Sequence, residues 1–186
     1  MNRSSSGPDG NSHNAPDDTA RALPENQIPY NAMTGGAPPP PPLIGNHSKV
    51  IPNNGDFTWK GITLEPYKAT TEFWKGITRT ELSGKRGESQ NFHLRYFEIQ
   101  PGGYSTLEMH QHEHVVVPIR GRGEVQFGCF IYEVGTGDVV YVAPSDPHQF
   151  RNSENNAEPF GFLCIVNAER DEPRPVDGPG VCYICS

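Results

Sequence analysis

Short runs of β-branched and aromatic residues follow one another from about residue 50 onward, and Gly, Pro and Asn separate them. No long run repeats apolar residues at the helical period of about 3.6 residues. Short runs bounded by turn-forming residues predict strands, so the pattern indicates an all-β domain. The candidate strands include FTWKGITLE, FWKGITRTEL, FHLRYFEI, YSTLEMH, HVVVPI, GEVQFG, IYEV, DVVYVA, HQFRN and FGFLCIV.

The pentapeptide WKGIT occurs twice, at residues 59–63 and 74–78. Nothing later in the chain repeats it, and a solenoid needs several copies of its unit. We therefore interpret the two copies as two similar edge strands rather than as a repeat architecture.

The first 45 residues have a different composition, rich in Pro, Gly, Ser, Asn and Asp, with five consecutive prolines at 38–42. So few apolar residues cannot bury a core, and the segment is predicted to be a disordered arm over 1–45. We interpret the proline run as a stiff linker rather than a docking motif. The β-rich domain is then expected over 46–176, followed by a flexible tail over 177–186.

The chain has a formal net charge of −7 and no cluster of basic residues. A nucleic-acid surface needs clustered Lys and Arg, so the composition argues against such a partner and favours a small molecule. No stretch approaches the roughly 20 apolar residues of a membrane span, and the N-terminal residues lack the apolar core of a secretory signal. We expect a cytoplasmic protein with no membrane partner.

Four cysteines, Cys129, Cys164, Cys182 and Cys185, are expected to be reduced, because disulfides are rare in the cytosol. Cys182 and Cys185 form a Cys-x-x-Cys pair. No second pair accompanies it, so we interpret it as a flexible thiol pair, although a dimer could join two pairs into one tetrahedral thiolate site.

The stretch STLEMHQHEHVVVPIRGRG places His110, His112 and His114 at every second position, with Glu108 at the same parity. Residues two apart in a strand share a face, so these side chains can converge on one point. Imidazole and carboxylate groups are ligands of divalent transition metals, and the spacing therefore predicts a metal site. The isolated His13, His47 and His93 are interpreted as surface or hydrogen-bonded residues.

Two motifs in this chain resemble those of the cupin superfamily. PGGYSTLEMHQHEHVVVPIRG resembles the first motif, with Gly103 and Gly121 as its anchors. GDVVYVAPSDPHQFRN resembles the second, in which Gly, Pro, His and Asn are carried by Gly137, Pro144, His148 and Asn152. The resemblance covers about residues 92–166. It implies a single cupin β-barrel of the jelly-roll type over 46–176.

The resemblance implies a ligand set of Glu108, His110, His114 and His148. The first His of the usual pair is Glu108 here and the usual Glu is His114, so the set keeps three imidazoles and one carboxylate. The alignment places His112 in the turn between two ligand-bearing strands. His112 is the alternative ligand, in place of Glu108, if the strand continues straight.

Such a ligand set suits a divalent transition metal. We favour iron or manganese, while nickel, cobalt and zinc are compatible with the same donors. The leading interpretation is a metal-dependent enzyme acting on a small polar metabolite, a non-haem dioxygenase first and an isomerase or lyase second. The alternative is a metal-dependent module that binds or senses a small ligand without turnover. The resemblance also implies a homodimer.

Candidates for substrate contact or catalysis come from strands beside the motifs. Arg95 and Tyr96 have opposite facing, so one of them is expected to point into the barrel. An inward Arg95 would suit a carboxylate substrate through bidentate pairing. Gln149 and Phe162 are further candidates.

Overall fold

The structure is a computed structural model that describes residues 48–69 and 72–176. Within these two ranges the regular structure is entirely β, and no helix that could cross a membrane is found. The predicted arm over 1–45 and the predicted tail over 177–186, with Cys182 and Cys185, lie outside the described residues. The strands are β1 (Leu64–Pro66), β2 (Lys75–Ser83), β3 (Phe92–Tyr104), β4 (Glu108–Met109), β5 (His114–Arg120), β6 (Arg122–Phe127), β7 (Phe130–Gly135), β8 (Val140–Val142), β9 (His148–Arg151), β10 (Phe160–Asn167) and β11 (Arg174–Pro175).

The strands form one curled antiparallel sheet, a half-barrel, which confirms the all-β fold class. Its main order is β11-β4-β9-β3-β10-β5-β8. Two smaller attachments extend it, since β2 pairs with both β1 and β3, and β6 pairs with both β7 and β9. The strand β4 lies between β11 and β9, and this position brings the two histidine-bearing motifs together.

The register of the central strands decides which side chains face the concave side of the sheet. Arg95 of β3 pairs with Glu81 of β2 and with Cys164 of β10, and Cys164 pairs with Val116 of β5. Alternation along each strand then places every second residue on the same face. Arg95, Cys164 and Val116 all line a cavity on that side.

The apolar core lies on the same concave side, behind the cavity. Ile99, Val116 and Phe160 have no exposed surface. Phe162 packs against a set of aromatic rings, with centroids at 4.9 Å from Phe150, 5.2 Å from Phe160 and 5.5 Å from Phe97. Offset aromatic packing of this kind fixes the cavity wall in place.

The two copies of WKGIT adopt different structures, so their interpretation as two similar edge strands is wrong. The second copy opens β2, whereas the first contains a turn in which Gly61 has a φ of +74°. Trp59 makes only an isolated bridge to Asn53. The first copy lacks a continuous neighbouring strand, and without one an apolar run has no ladder to join.

The expectation of four reduced cysteines is wrong for Cys129, which is disulfide-bonded in the structure. Cys164 is a free and buried thiol. Residue spacing alone carries no information on which thiols the fold brings within bonding distance.

Candidate metal centre

The five residues of the predicted metal site come from three neighbouring segments. Glu108 lies in β4, His114 begins β5 and His148 begins β9, while His110 and His112 lie in the bend between β4 and β5. Glu108 and His148 are direct cross-strand partners. All five side chains are buried, with relative exposures of 3 to 8%.

Two overlapping triads of donor atoms have the proximity that one ion needs. The potential ligand atoms of Glu108, His110 and His148 lie within 4.8 Å of one another, and so do those of His110, His112 and His114. His110 belongs to both triads. The structure thus brings together all four implied ligands and the alternative His112.

The imidazole rings pack closely. The His110 ring stacks on that of His112 with a centroid distance of 3.7 Å, and on that of His114 at 4.5 Å. His148 meets His110 edge-on, with centroids 4.8 Å apart. Neutral rings tolerate this arrangement, whereas several imidazolium ions at such distances would repel one another strongly.

Each histidine has its Nδ1 atom engaged by a neighbour. The Nδ1 of His110 donates to the carbonyl oxygen of His112 at 2.7 Å, and that of His148 donates to the Asp146 carbonyl at 2.9 Å. The Nδ1 of His114 lies 3.6 Å from the sulfur of Cys164. Metal-binding histidines are usually oriented in this way through the nitrogen that does not touch the ion.

The opposite nitrogens of two rings are left without a partner. The Nε2 atoms of His110 and His114 are buried and make no hydrogen bond. A buried polar atom without a partner costs free energy, commonly about 1 to 3 kcal/mol. An ion bound by these nitrogens would remove that cost, so the residues present fit a divalent metal.

Burial favours the neutral form of His110, His114 and His148. Desolvation, followed by the charge on His148, lowers the pKa of His110 to about 4. Desolvation also lowers the pKa of His114 and of His148 below the ordinary histidine value. Only a neutral imidazole has a lone pair for a metal, so these groups are ready to bind one at neutral pH.

Glu108 and His112 each have a charged partner. Glu108 forms an ion pair with Lys68, whose ammonium group also donates to the Thr106 hydroxyl at 3.3 Å. The Nδ1 of His112 donates to Asp171 at 2.7 Å. That hydrogen bond is the main reason why the pKa of Asp171 is lowered well below its usual range.

His112 occupies the turn between β4 and β5 that the sequence assigned to it, yet it is buried rather than exposed at a rim. Asp171 holds this turn closely, since it also accepts from the backbone N–H of Gln111 at 2.9 Å and of His112 at 3.2 Å. Sequence reasoning missed Asp171. It lies far along the chain in an irregular segment, where no periodic pattern marks it.

A cavity of about 220 Å³ opens beside the candidate metal centre. We call it the site cavity. Its apolar wall includes Phe97 and Phe162, and its thiol is Cys164. Its charged and ligand-type lining consists of Lys68, Arg79, Arg95, Glu108, His112, His114, His148 and Arg170.

Of the sequence candidates for substrate contact, Arg95 and Phe162 line the site cavity. Tyr96 faces the other side of β3, where its hydroxyl donates to Glu98 at 2.8 Å and its ring packs near Trp59. Gln149 donates to the Ser105 carbonyl at 2.7 Å and accepts from Arg151 at 2.6 Å. Sequence reasoning missed Arg79 and Arg170.

Comparison with known proteins agrees with this architecture. The model of the cupin domain family matches residues 95–166. The 1-methylthio-D-xylulose 5-phosphate methylsulfurylase of Rhodospirillum rubrum is 40% identical over 124 residues, which are 66% of this chain and 77% of that protein.

Solved structures of similar sequence share the fold. A cupin-2 domain from Rhodospirillum rubrum has 40% identity and a TM-score of 0.59, with 68% of this chain and 82% of that chain covered. A cupin 2 conserved barrel domain protein from Rhodopseudomonas palustris has 38% identity and a TM-score of 0.61, with 68% and 86% covered. The two histidine motifs meet in the half-barrel, and the family model and these relatives match the part of the chain that forms it. The chain therefore belongs to the cupin superfamily.

Proposed function

We propose that the protein is a metal-dependent enzyme that acts on a small polar metabolite carrying a carbonyl group. The observation that carries the proposal is the pair of buried, unpartnered Nε2 atoms of His110 and His114, of which His114 lines the site cavity. Glu108, His110, His114 and His148 would hold the ion. A divalent ion held by these residues would supply Lewis acidity for a substrate carbonyl group.

Iron or manganese is our preferred metal. The donors are imidazole and carboxylate groups. Among the described residues the only thiol that lines the cavity is that of Cys164, and it contacts the Nδ1 of His114 rather than the Nε2 that would bind the ion. Nitrogen and oxygen donors of this kind suit Fe(II) and Mn(II), and they are compatible with Ni(II), Co(II) and Zn(II).

The relative from Rhodospirillum rubrum supports carbonyl chemistry as the reaction type. Its name specifies a xylulose derivative, and xylulose is a ketose. A ketose carbonyl is a group that a Lewis acid can polarise without any use of dioxygen. We therefore place isomerase, lyase or related group-transfer chemistry ahead of the dioxygenase chemistry that the sequence placed first.

Two proton-carrying side chains in the site cavity favour an enzyme over a binding module. Lys68 lies beside Glu108, and His112 is held by Asp171. Carbonyl chemistry needs a group that moves a proton near the reacting atoms, whereas simple ligand binding does not. In the proposal, His112 and Lys68 are the candidates for this role.

The test uses the full chain, purified without an affinity tag and loaded with Mn(II) or Fe(II). It is incubated with 1-methylthio-D-xylulose 5-phosphate and a thiol, with and without oxygen, while products are followed by mass spectrometry. We expect conversion that needs the metal but not oxygen, and that is lost in His148→Ala and kept in Arg122→Gln. Oxygen consumption coupled to conversion would favour the dioxygenase. Metal-dependent binding without any conversion would favour the binding module.

A further inference from the structure

Three guanidinium groups line one part of the site cavity, and we call them the arginine cluster: Arg79, Arg95 and Arg170. Arg79 lies on β2 opposite Phe97, and Arg95 lies two residues before Phe97 on β3. Arg79 and Arg95 are thus diagonal neighbours on one face of the sheet. Arg170 comes from the irregular segment that follows β10.

Arg79 has carboxylate partners. Its Nη2 lies 3.1 Å from Glu65, and its Nε lies 3.3 Å from the buried Glu81. Glu65 also pairs with Lys85 at 2.8 Å, so the two acids balance the charges of Arg79 and Lys85 together. Arg79 therefore contributes to the electrostatic potential of the cavity, but its positive charge is already paired and is not available to a ligand.

Arg95 has no such partner among the described residues. Its Nη2 donates to the sulfur of Cys164 at 3.2 Å, and its guanidinium lies over the Phe97 ring at 5.1 Å from the centroid. The Nε atom is buried and makes no hydrogen bond. A partly buried guanidinium without an anion is unfavourable, because burial removes hydration that nothing replaces.

Arg170 also lines the site cavity, although its side chain is more exposed than that of Arg95. Its Nη1 donates to the carbonyl oxygens of Asn167 at 3.0 Å and Ala168 at 3.3 Å and lies 3.3 Å from the Nδ1 of His93, and no ion pair with a carboxylate is seen in the part of the chain that the structure describes. Burial and then the like charge of Arg95 lower the pKa of Arg170. Two neighbouring cations therefore face the cavity, and neither forms an ion pair with a carboxylate among the described residues.

The charge balance of the cavity indicates the ligand. Lys68 is matched by Glu108, and Arg79 and Lys85 together are matched by Glu65 and Glu81. Arg95 and Arg170 remain, and they supply about two positive charges. A phosphate monoester carries about −1.5 to −2 charges near pH 7 and accepts paired N–H donors from guanidinium groups. A carboxylate carries one charge and would leave the second arginine unpaired.

We propose that Arg95 and Arg170 bind the phosphate group of a phosphorylated substrate whose carbonyl end reaches the candidate metal centre. Arg79, on the neighbouring strand β2, helps to position the arginine cluster and does not bind the phosphate itself. The inference rests on the proposed function for the reacting end of the substrate, while the phosphate end stands on the arginine cluster alone. The proposal assigns the substrate to the class of small sugar phosphates.

Isothermal titration of the full chain tests the assignment, with D-xylulose 5-phosphate as the probe and D-xylulose as its uncharged counterpart. We expect the phosphorylated sugar to bind and inorganic phosphate to compete with it. Arg95→Gln and Arg170→Gln should each weaken that binding about ten- to a hundredfold, the effect of losing a charged hydrogen bond. Arg122→Gln, which removes an exposed arginine outside the cavity, should leave it unchanged, and Arg95→Lys should recover part of the loss.

Metal content, measured on the same samples, separates this proposal from the preceding one. Unchanged metal content in both glutamine variants, together with weaker sugar-phosphate binding, supports the arginine assignment. Sugar-phosphate binding that survives metal removal and still depends on Arg95 and Arg170 supports it even if no turnover is found. Equal affinity for xylulose and its phosphate, or wild-type affinity in Arg95→Gln and Arg170→Gln, would overturn it.

Discussion

Glu108 and His112 are the two residues whose roles at the candidate metal centre differ most between the possible ligand sets. Glu108 would be the anionic ligand, and Lys68 balances its charge. His112 belongs to a second triad with His110 and His114, and Asp171 fixes its orientation. A carboxylate behind an imidazole is a common support for a metal ligand, so the choice needs a direct measurement.

We predict that Glu108→Gln weakens metal binding more than His112→Ala does. The first change removes the anionic ligand and leaves a neutral amide beside a divalent charge, whereas the second removes an alternative donor. Mn(II) titration of both variants at one pH, with Lys68→Met as a control for the ion pair, decides the matter. Metal loss in His112→Ala with retention in Glu108→Gln would show that the ligand set consists of histidines alone.

His110 and His148 allow a second prediction, because each supplies one bond to the ion while the core valines are untouched. We expect His110→Ala and His148→Ala to lose stoichiometric metal after dialysis and to remain folded. His93→Ala, which removes a histidine outside the two donor triads, is the matched control. Full metal occupancy in both site variants, measured by plasma mass spectrometry, would refute the assigned centre.

The two-residue spacing of Glu108 and the histidines predicted which residues could converge at the candidate metal centre. It did not predict every group that surrounds them. Alternation showed that Arg95 and Tyr96 face opposite ways, yet it could not tell which one faces the cavity. The pairing with Cys164 and Glu81 decides that in favour of Arg95. Arg170 and Asp171 lie in an irregular segment, and their approach depends on tertiary contacts that no local pattern encodes.

Individual strands were predicted well where apolar and polar residues alternate over several positions. FHLRYFEI falls in β3 and FGFLCIV falls in β10. The strand β11 was missed, because the two residues Arg174 and Pro175 carry no periodic signal. The run from Phe57 to Glu65 was predicted as a strand, but Phe57 and Gly61 both have positive φ angles, which interrupt an extended chain.

Gly121, in the turn between β5 and β6, gives a prediction on stability. Its φ is +61°, and a Cβ atom there would lie 2.5 Å from the Pro159 carbonyl oxygen. An alanine at a left-handed position costs roughly 1 to 2 kcal/mol, and the contact adds to that cost. We expect Gly121→Ala to lower the free energy of unfolding in urea by more than Gly61→Ala.

Gly61 is a suitable comparison because its φ is +74° and nothing lies within 4 Å of the added carbon. An equal decrease in the free energy of unfolding in the two variants would mean that the backbone around Pro159 moves away from the added carbon at no cost in stability. Metal content should be the same in both, since neither glycine touches the candidate centre.

At the scale of the whole molecule, the buried histidines couple stability to pH. In the metal-free protein the folded-state pKa of His110 is lowered to about 4, and those of His114 and His148 are lowered too. Unfolded histidines titrate near about 6.5. Below that pH the unfolded chain binds more protons than the folded chain, so folding becomes less favourable as the pH falls.

We therefore predict that the melting temperature of the chelator-treated protein is nearly constant above about pH 7 and falls between about pH 6.5 and pH 5. Saturating Mn(II) should raise the melting temperature, because a ligand of the folded state stabilises it. Thermal melts of wild type and His114→Ala across this range make the test. If the slope of melting temperature against pH is unchanged in His114→Ala, the effect comes from groups other than that histidine.

The homodimer and the cytoplasmic location stay predictions.

The irregular stretch after β10 reaches both ends of the site cavity. Arg170 belongs to the arginine cluster, Asp171 holds His112, and the Val176 N–H donates to the Leu107 carbonyl at 3.0 Å beside β4. The turn that carries His112 depends on this stretch through Asp171, whereas the charge of the arginine cluster depends on it through Arg170. A substitution at position 170 should therefore change which substrates are accepted, whereas a substitution at the neighbouring position 171 should disturb the candidate metal centre itself.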